Sequence, residues 1–507
     1  MKAISANKKK TLVLLLAIVL LALVLRTPNF GHFLSYDEAF NVHAAYGRGQ
    51  AVPHDVWSTQ LRVHPPDYMY SGVLFERVTG ASRQDLAVFM EALSILAALG
   101  ILVLIYFCGK DWFDEKTGLI AAFFYAVLPA ARVFDTWIKQ DALMMFFTLA
   151  FVFLFFKKRY IWAGLLLGLA LLTKETVVFI VLAAGVFLLV SRRFREIGRL
   201  ALSFAVAFLV SFWWYLFFST SEGRFVGLFL GNTREAQLSK SPWYTYLVKA
   251  PQDFVWIVVA LLLLGVVLFA FDFKKKGRPQ MVTFLFCWIG VPYFILSAAP
   301  GKFAWLIHPV LPPIALLAGW SLARVYELVS DKRVAIALVG VVLIAALLLS
   351  AIVSFNGYLG SIDRNLLGWQ YEKNAAEYIN GRTPGTVAIG TDDANPVFLY
   401  YLNSYDPRKM EYISAGAVPA SPGTKSTVFL VDSSDDLATF NQVVKRFGPK
   451  YVVLRYIPVM AAQTPESKAA RDSLIEAYMK LEPKPGIFGE SLVFNGYDLI
   501  HSGSSAQ

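Results

Sequence analysis

Charge is scarce in this chain. Charged residues make up 16% of its 507 positions, where a soluble globular domain carries about 25%. With 57% hydrophobic residues as well, the chain is neither an ordinary soluble enzyme nor a disordered segment. Cysteine is nearly missing. Cys108 and Cys287 both lie in apolar runs, so neither a disulfide framework nor a thiolate zinc site can be built from them. No GxGxxG and no GxxxxGK(S/T) occurs, which removes the common nucleotide fingerprints. No basic stretch is interleaved with aromatics, so nucleic acid is not an expected partner. The net charge of +11 reads instead as membrane orientation and contact with lipid headgroups.

Long apolar runs are what the chain has in quantity. A spanning helix needs roughly 20 mostly apolar residues. About eleven such runs are read, near 11–27, 86–107, 117–134, 141–156, 160–173, 176–190, 200–219, 252–271, 281–298, 303–323 and 334–356. The first follows Lys8-Lys9-Lys10 and has no clean small-residue cleavage site after it, so it is read as a retained helix. Basic clusters fall at every second junction, among them Lys157-Lys158-Arg159, Arg192-Arg193-Phe194-Arg195 and Lys274-Lys275-Lys276. The positive-inside rule makes that side cytoplasmic. The expected architecture is a polytopic α-helical membrane domain over 1–358, with a long first outer loop at 28–85. Its N-terminus is cytoplasmic, and it sits in the plasma (cytoplasmic) membrane.

Residues 359–507 change character. Strand-like runs at Thr386–Gly390, Thr427–Val431 and Tyr451–Leu454 alternate with helical patterns at Gln370–Ile379, Asp436–Phe447 and Ser467–Leu481. That alternation predicts a small α/β domain on the extracytoplasmic side. Asp432-Ser433-Ser434-Asp435-Asp436 is read as a solvated helix N-terminus.

Five clusters of ionisable residues lie at the outer ends of apolar helices, where charge is costly and tends to be functional. Ser35-Tyr36-Asp37-Glu38 follows the first run, and its two adjacent acids must point in different directions. A helix cap by Asp37 is the plainer alternative. Arg132 to Asp141 joins the third and fourth runs, with Asp135 and Lys139 between. Thr173-Lys174-Glu175 places a lysine among apolar residues, suited either to snorkelling or to holding an anionic headgroup. Lys302 to His308-Pro309 and Pro312-Pro313 form the fourth. The fifth is His64-Pro65-Pro66, in which the prolines restrict the backbone that aims the histidine. Four of the six histidines sit in the first loop, yet their spacing matches no standard zinc pattern. Several carboxylates and several cations on one face suit an anionic, lipid-linked substrate whose phosphate needs Lys or Arg.

These residues resemble a known family. The Asp37-Glu38 pair after the first span, His64-Pro65-Pro66 later in the same loop, and Asp141 opening the fourth span look like the GT-C glycosyltransferases. The branch they look like contains the protein O-mannosyltransferases and the lipid A aminoarabinose transferases. Thr173-Lys174 and the segment from Lys302 through Pro309 to Pro313 are similar to further motifs of that branch. The likeness runs over roughly residues 1–325. Departures are Glu175 for glycine, Leu306 for tyrosine, His308 for leucine and Asp67 for leucine, and the WWDYG motif of oligosaccharyltransferases is absent.

The resemblance implies a GT-C fold and a polyprenyl-phosphate-sugar donor. The sugar would pass to a lipid, glycan or protein acceptor on the outer face, with inversion. It implies Asp37 as the catalytic base, and Glu38, His64, Asp141, Lys174, Lys302, Arg132 and His308 as substrate-binding residues. A divalent cation held by Glu38, His64 and Asp141 stays open as an alternative, since enough cations surround the phosphate without one. The rival readings are a secondary transporter and a membrane-anchored cell-envelope binding protein. No inverted repeat or paired broken helix favours the transporter.

Overall fold

The computed structural model describes residues 6–32, 34–49, 65–217, 241–276, 280–353, 366–382, 385–391, 396–403, 410–413, 428–432, 437–455, 465–482, 484–488, 491–496 and 498. The chain divides into two compact units. One comprises Met1–Gly31, Leu61–Ser71 and Ala87–Ile362, and the other His32–Gln60, Gly72–Leu86 and Asp363–Gln507.

The first unit is helical. Among the described residues six helices are long and apolar enough to cross a membrane: Lys8–Asn29, Arg83–Trp112, Phe194–Leu216, Gln280–Ala298, Ala304–Leu328 and Lys332–Ile352. A seventh arises if Thr245–Phe254 and Trp256–Asp272, bent by 116° at their junction, count as one span. The bend sits at Val255, whose φ of 60° is unusual for a β-branched residue. Among the described residues helix is found at every one of the eleven expected places; the fourth, fifth and sixth are short, as their expected bounds are, and the third is broken. Asp141–Phe156, Tyr160–Thr173 and Glu175–Val190 are shorter apolar segments of at most 17 residues. At 1.5 Å per residue these cover about 26 Å or less, below the roughly 30 Å of a hydrocarbon core. The expected run at 117–134 breaks in two, Glu115–Val127 and Pro129–Phe134, because Leu128 is extended and Pro129 opens a new helix.

Packing inside this unit uses small residues where helices meet closely. A Cβ placed on Gly168 would stand 2.6 Å from the Val210 Cβ, and one on Gly164 would stand 2.6 Å from the Ser203 carbonyl oxygen. The helices Tyr160–Thr173 and Phe194–Phe217 therefore approach at a distance only glycine permits. On Lys332–Ile352, Val334, Ile336, Val341, Ile344, Leu348 and Ile352 are all exposed. Such a face is unfavourable in water and fits lipid. This is a multi-pass membrane protein.

The second unit contains the α/β domain. Its six strands are β1 (Val387–Thr391), β2 (Met410–Ile413), β3 (Val428–Asp432), β4 (Tyr451–Arg455), β5 (Gly486–Phe488) and β6 (Ser491–Asn495). They form one sheet in the order β2-β3-β1-β4-β6-β5. The first four are parallel, with Ile389 of β1 opposite Leu430 of β3 and Val453 of β4. β6 and β5 close one side antiparallel. Helices Leu437–Phe447 and Pro465–Leu481 pack on the sheet, burying Phe440, Val443, Val444 and Tyr478 against Ala388, Val452, Leu454 and Phe494. The three strands read from sequence appear one residue or less from their expected starts. The short helix Pro396–Tyr401 and the strands β2, β5 and β6 are additional to what the periodicity indicates.

The same unit includes helix α1, our label for Tyr36–Gly49, in the first long loop. Its N-terminus is built by Ser35-Tyr36-Asp37-Glu38. Ser35 is the N-cap position, and Glu38 three residues on accepts the Ser35 N–H at 2.9 Å through Oε2. This is the reciprocal arm of a capping box.

Candidate active site

In the first unit the scarce charges gather into one buried network. Arg26 ends the first apolar helix and is 1% exposed. Its Nη2 and Nε donate to Asp135 Oδ2 at 2.5 and 3.2 Å, and its Nη1 donates to the carbonyls of Ala22 and Ala126. Asp135 Oδ1 accepts the Tyr125 hydroxyl at 3.0 Å and lies 3.0 Å from His308 Nε2. Buried charges of this kind persist only when their partners are well placed, and each Asp135 oxygen is served.

Next along the chain, Lys174 donates its Nζ to Asp141 Oδ1 at 2.7 Å. Lys174 can reach it because the residue is extended, with φ −161° and ψ 136°, between the helix that ends at Thr173 and the 3-10 turn Glu175–Val177. Lys139 lies between the faces of Trp137 and Trp305, with its Nζ 4.2 and 3.9 Å from the two ring centroids. Such contacts hold a cation without a carboxylate, by the ring quadrupole. Three cations, Arg26, Lys139 and Lys174, thus meet two carboxylates, Asp135 and Asp141. Two polar atoms in this group, Asp141 Oδ2 and His308 Nδ1, have no hydrogen-bond partner among the described residues. Both are buried, and unsatisfied buried polar atoms are uncommon enough to mark a place where something else binds or reacts.

The turn at Thr173 also receives the segment after His64-Pro65-Pro66. Burial pushes the Asp67 carboxyl up from 3.8 to about 6, against a smaller lowering influence of the nearby Thr173 side chain. Asp67, which departs from the family pattern, therefore lies near the Thr173-Lys174 motif.

Of the expected site residues, the structure brings together Asp141, Lys174 and His308. Three others have different employment. Arg132 was expected at a phosphate, but its Nη1 donates to the carbonyl and hydroxyl of Ser350 at 2.7 and 3.1 Å and its Nε to Leu25 O. It ties three helices together. Lys302 was likewise expected at a phosphate. Its Nζ donates to Ser297 O at 3.0 Å and to Ala299 O, carbonyls at the end of helix Gln280–Ala298, where a cation offsets the negative helix terminus. Partial burial holds its ammonium below the usual lysine range. Glu38 was expected at substrate or metal, but it is fully buried with its oxygens on the Ser35 N–H and on His32 Nε2 at 2.9 Å. His64 lies outside the described residues. Asp37, in the second unit, is exposed on the first turn of α1. Arg26, Asp135 and Lys139 are not among the expected site residues; the only sequence signal of Arg26 is a guanidinium at the end of an apolar run, and Asp135 and Lys139 appear only as members of the cluster from Arg132 to Asp141.

Residues 63–215 match the family model of dolichyl-phosphate-mannose-protein mannosyltransferases. Asp135, Asp141 and Lys174 all fall inside that segment. No curated protein matches the chain by sequence. Among solved structures it is similar to ArnT from Cupriavidus metallidurans in the apo state, with a TM-score of 0.63 and 14% identity, covering 98% of this chain and 99% of that one. The same protein bound to undecaprenyl phosphate matches with a TM-score of 0.59 and 15% identity, over 97% and 98% of the two chains. The oligosaccharyltransferase of Archaeoglobus fulgidus, tethered to an acceptor peptide, matches with a TM-score of 0.60 and 14% identity, over 88% of this chain and 69% of that one. The chain has the GT-C glycosyltransferase fold.

Of the three residues of the divalent-cation alternative, His64 lies outside the described residues. Among the described residues no three of His, Cys, Asp and Glu are grouped to hold a metal. Glu38 is taken up by its own helix terminus, and one oxygen of Asp141 by Lys174. No step below is routed through a metal.

Proposed function

We propose that this GT-C protein transfers a sugar from a polyprenyl-phosphate donor to a hydroxyl of a lipid, glycan or protein acceptor at the outer face of the membrane. The observation that carries this reading is the buried Asp141–Lys174 and Asp135–His308–Arg26 network, with its excess of cations and its two unpartnered atoms. It lies largely within the segment that matches the mannosyltransferase family model. The similar Cupriavidus ArnT binds undecaprenyl phosphate, a ligand of the same donor class. The outer-face assignment rests on the basic clusters at alternate junctions.

The reaction is a single displacement. The acceptor oxygen forms a bond to the anomeric carbon on the face opposite the phosphate, so configuration inverts. The carbon–oxygen bond to the lipid phosphate breaks, and the phosphate leaves with the electron pair. The hydroxyl proton passes to Asp37. A carboxylate is a weak base toward a hydroxyl, so its contribution comes from position and from transferring the proton as the new bond forms. Lys174 meets the growing charge on the phosphate, with Lys139 and Arg26 raising the local positive potential. Asp141 holds the Lys174 ammonium in place through their 2.7 Å contact.

The test is turnover of polyprenyl-phosphate sugars with candidate acceptors by purified wild type and Asp37→Asn. Donor consumption is expected in the wild type and a fall of about 100-fold or more in the variant, with the folded state retained. Wild-type turnover in Asp37→Asn would sink the base assignment. Flux of intact substrate across sealed vesicles, without transfer, would favour the transporter.

A further inference from the structure

The α/β domain holds the loop that carries Asp37, and the contacts that do so are specific. Leu34, two residues before α1 and 4% exposed, donates its backbone N–H to the Tyr401 hydroxyl at 3.0 Å. The two residues are 367 apart in sequence. The next residue, Ser35, donates its N–H to Glu38, which makes the N-terminus of α1. A single hydroxyl from the C-terminal domain therefore anchors the chain immediately ahead of the turn that presents Asp37.

Tyr401 is itself fixed. It ends the short helix Pro396–Tyr401, and its carbonyl accepts from Asn380 Nδ2 at 2.7 Å, while Asn380 Oδ1 takes the Asn403 N–H at 2.8 Å. Arg83, the first residue of helix Arg83–Trp112, adds a fork: its Nη1 and Nη2 donate to the carbonyls of Leu399 and Leu402 at 2.7 and 3.1 Å. On the far side of the same short helix, Tyr400 meets His43 of α1 edge-on, with centroids 6.3 Å apart. All these residues lie within the one compact unit.

We infer that Tyr401 is a positioning residue for Asp37, and that the C-terminal domain serves the reaction by setting the placement of α1 through the helix Pro396–Tyr401. The inference rests on the proposed role of Asp37 as base. A general base works only within hydrogen-bond reach of its proton, and a displacement of about 1 Å can cost about 100-fold in rate. An exposed acid on a helix in a long loop needs such an external brace. The Glu38 carboxylate on the Ser35 N–H settles the first turn, and the Tyr401 hydroxyl settles where that helix starts.

The experiment compares full-length wild type, Tyr401→Phe, Arg83→Lys and Asp37→Asn. Tyr401→Phe keeps the ring and removes only the acceptor oxygen. The expected result is a kcat lowered about tenfold, unchanged KM for the polyprenyl-phosphate sugar, an unchanged Tm, and amide exchange at Leu34 and across the first turns of α1 faster by about tenfold. Arg83→Lys, which loses the two-carbonyl fork, is expected to shift the same two readouts in the same direction, and it decides the matter if Tyr401→Phe fails to fold. A kcat within twofold of wild type in both variants, while Asp37→Asn abolishes turnover, overturns the positioning role and leaves the base intact. Wild-type turnover in Asp37→Asn overturns the base, and the positioning role with it. A loss that appears only in donor KM also overturns it, because it would place Tyr401 at binding.

Discussion

Asp135 is fully buried in the first unit and divides its two oxygens among Arg26, Tyr125 and His308, whereas Asp37 stands exposed at the start of a helix in the second. The difference shows what each environment permits. A carboxylate in a buried, low-dielectric site must be fully paired, and once paired it serves as a rigid anchor. A carboxylate on an exposed helix turn is hydrated and can exchange protons with solvent. The neighbouring Glu38 shows the intermediate case, a buried acid consumed by its own helix terminus. The first unit thus offers preorganised charge, and the second offers an exposed carboxylate, the base of the proposed reaction.

The most forceful way to break this comparison is Asp135→Ala. Removing one partner of a buried pair leaves Arg26 uncompensated and should destabilise by about 3–5 kcal/mol, read as a large fall in Tm and in folded yield. Asp37→Asn should leave Tm unchanged, so equal Tm for the two variants would erase the distinction. Lys174→Met comes next. It should lower turnover by about 100-fold while Asp141, left unpaired, costs part of the stability, and unchanged turnover would remove Lys174 from the phosphate role.

Asp67 supplies a pH test. Its folded carboxyl titrates at about 6 against 3.8 in a free chain, so the folded state holds the proton more tightly. Its contribution is therefore absent below about pH 4 and becomes an increasing penalty as pH rises through 6, reaching about 2–3 kcal/mol. Asp67→Asn should flatten the fall of Tm between pH 4 and 6, and an identical slope in the variant would refute the burial effect. The smallest expected change is Lys302→Met, about 0.5–1 kcal/mol through the lost helix C-terminal interaction, with turnover within about threefold of wild type. A loss as large as that of Lys174→Met would return Lys302 to the phosphate site.

The local features were the legible ones. Apolar runs mark the place of the eleven expected helices, and strand runs alternating with helical ones mark the α/β domain. Pro129 after Leu128 could have warned that the third run breaks. The spacing of Ser35 and Glu38 is itself a capping-box signature, although the cap was assigned to Asp37. Asp141 and Lys174 were both selected, yet their contact joins residues 33 apart, and no periodicity predicts it. Arg26 and Asp135 are 109 apart, Arg132 and Ser350 218 apart. A guanidinium at the end of an apolar helix looks the same in sequence whether it meets lipid headgroups or a buried aspartate.

By itself, then, the chain's composition and periodicity determined a multi-pass helical membrane protein with an α/β domain after it, because burial of apolar surface and backbone hydrogen bonding follow from residue type and spacing. Only the tertiary structure decided which of the scarce charges are buried and which partners they take. A charge acts through the partners within a few ångströms of it, and those partners come from segments that the sequence keeps far apart.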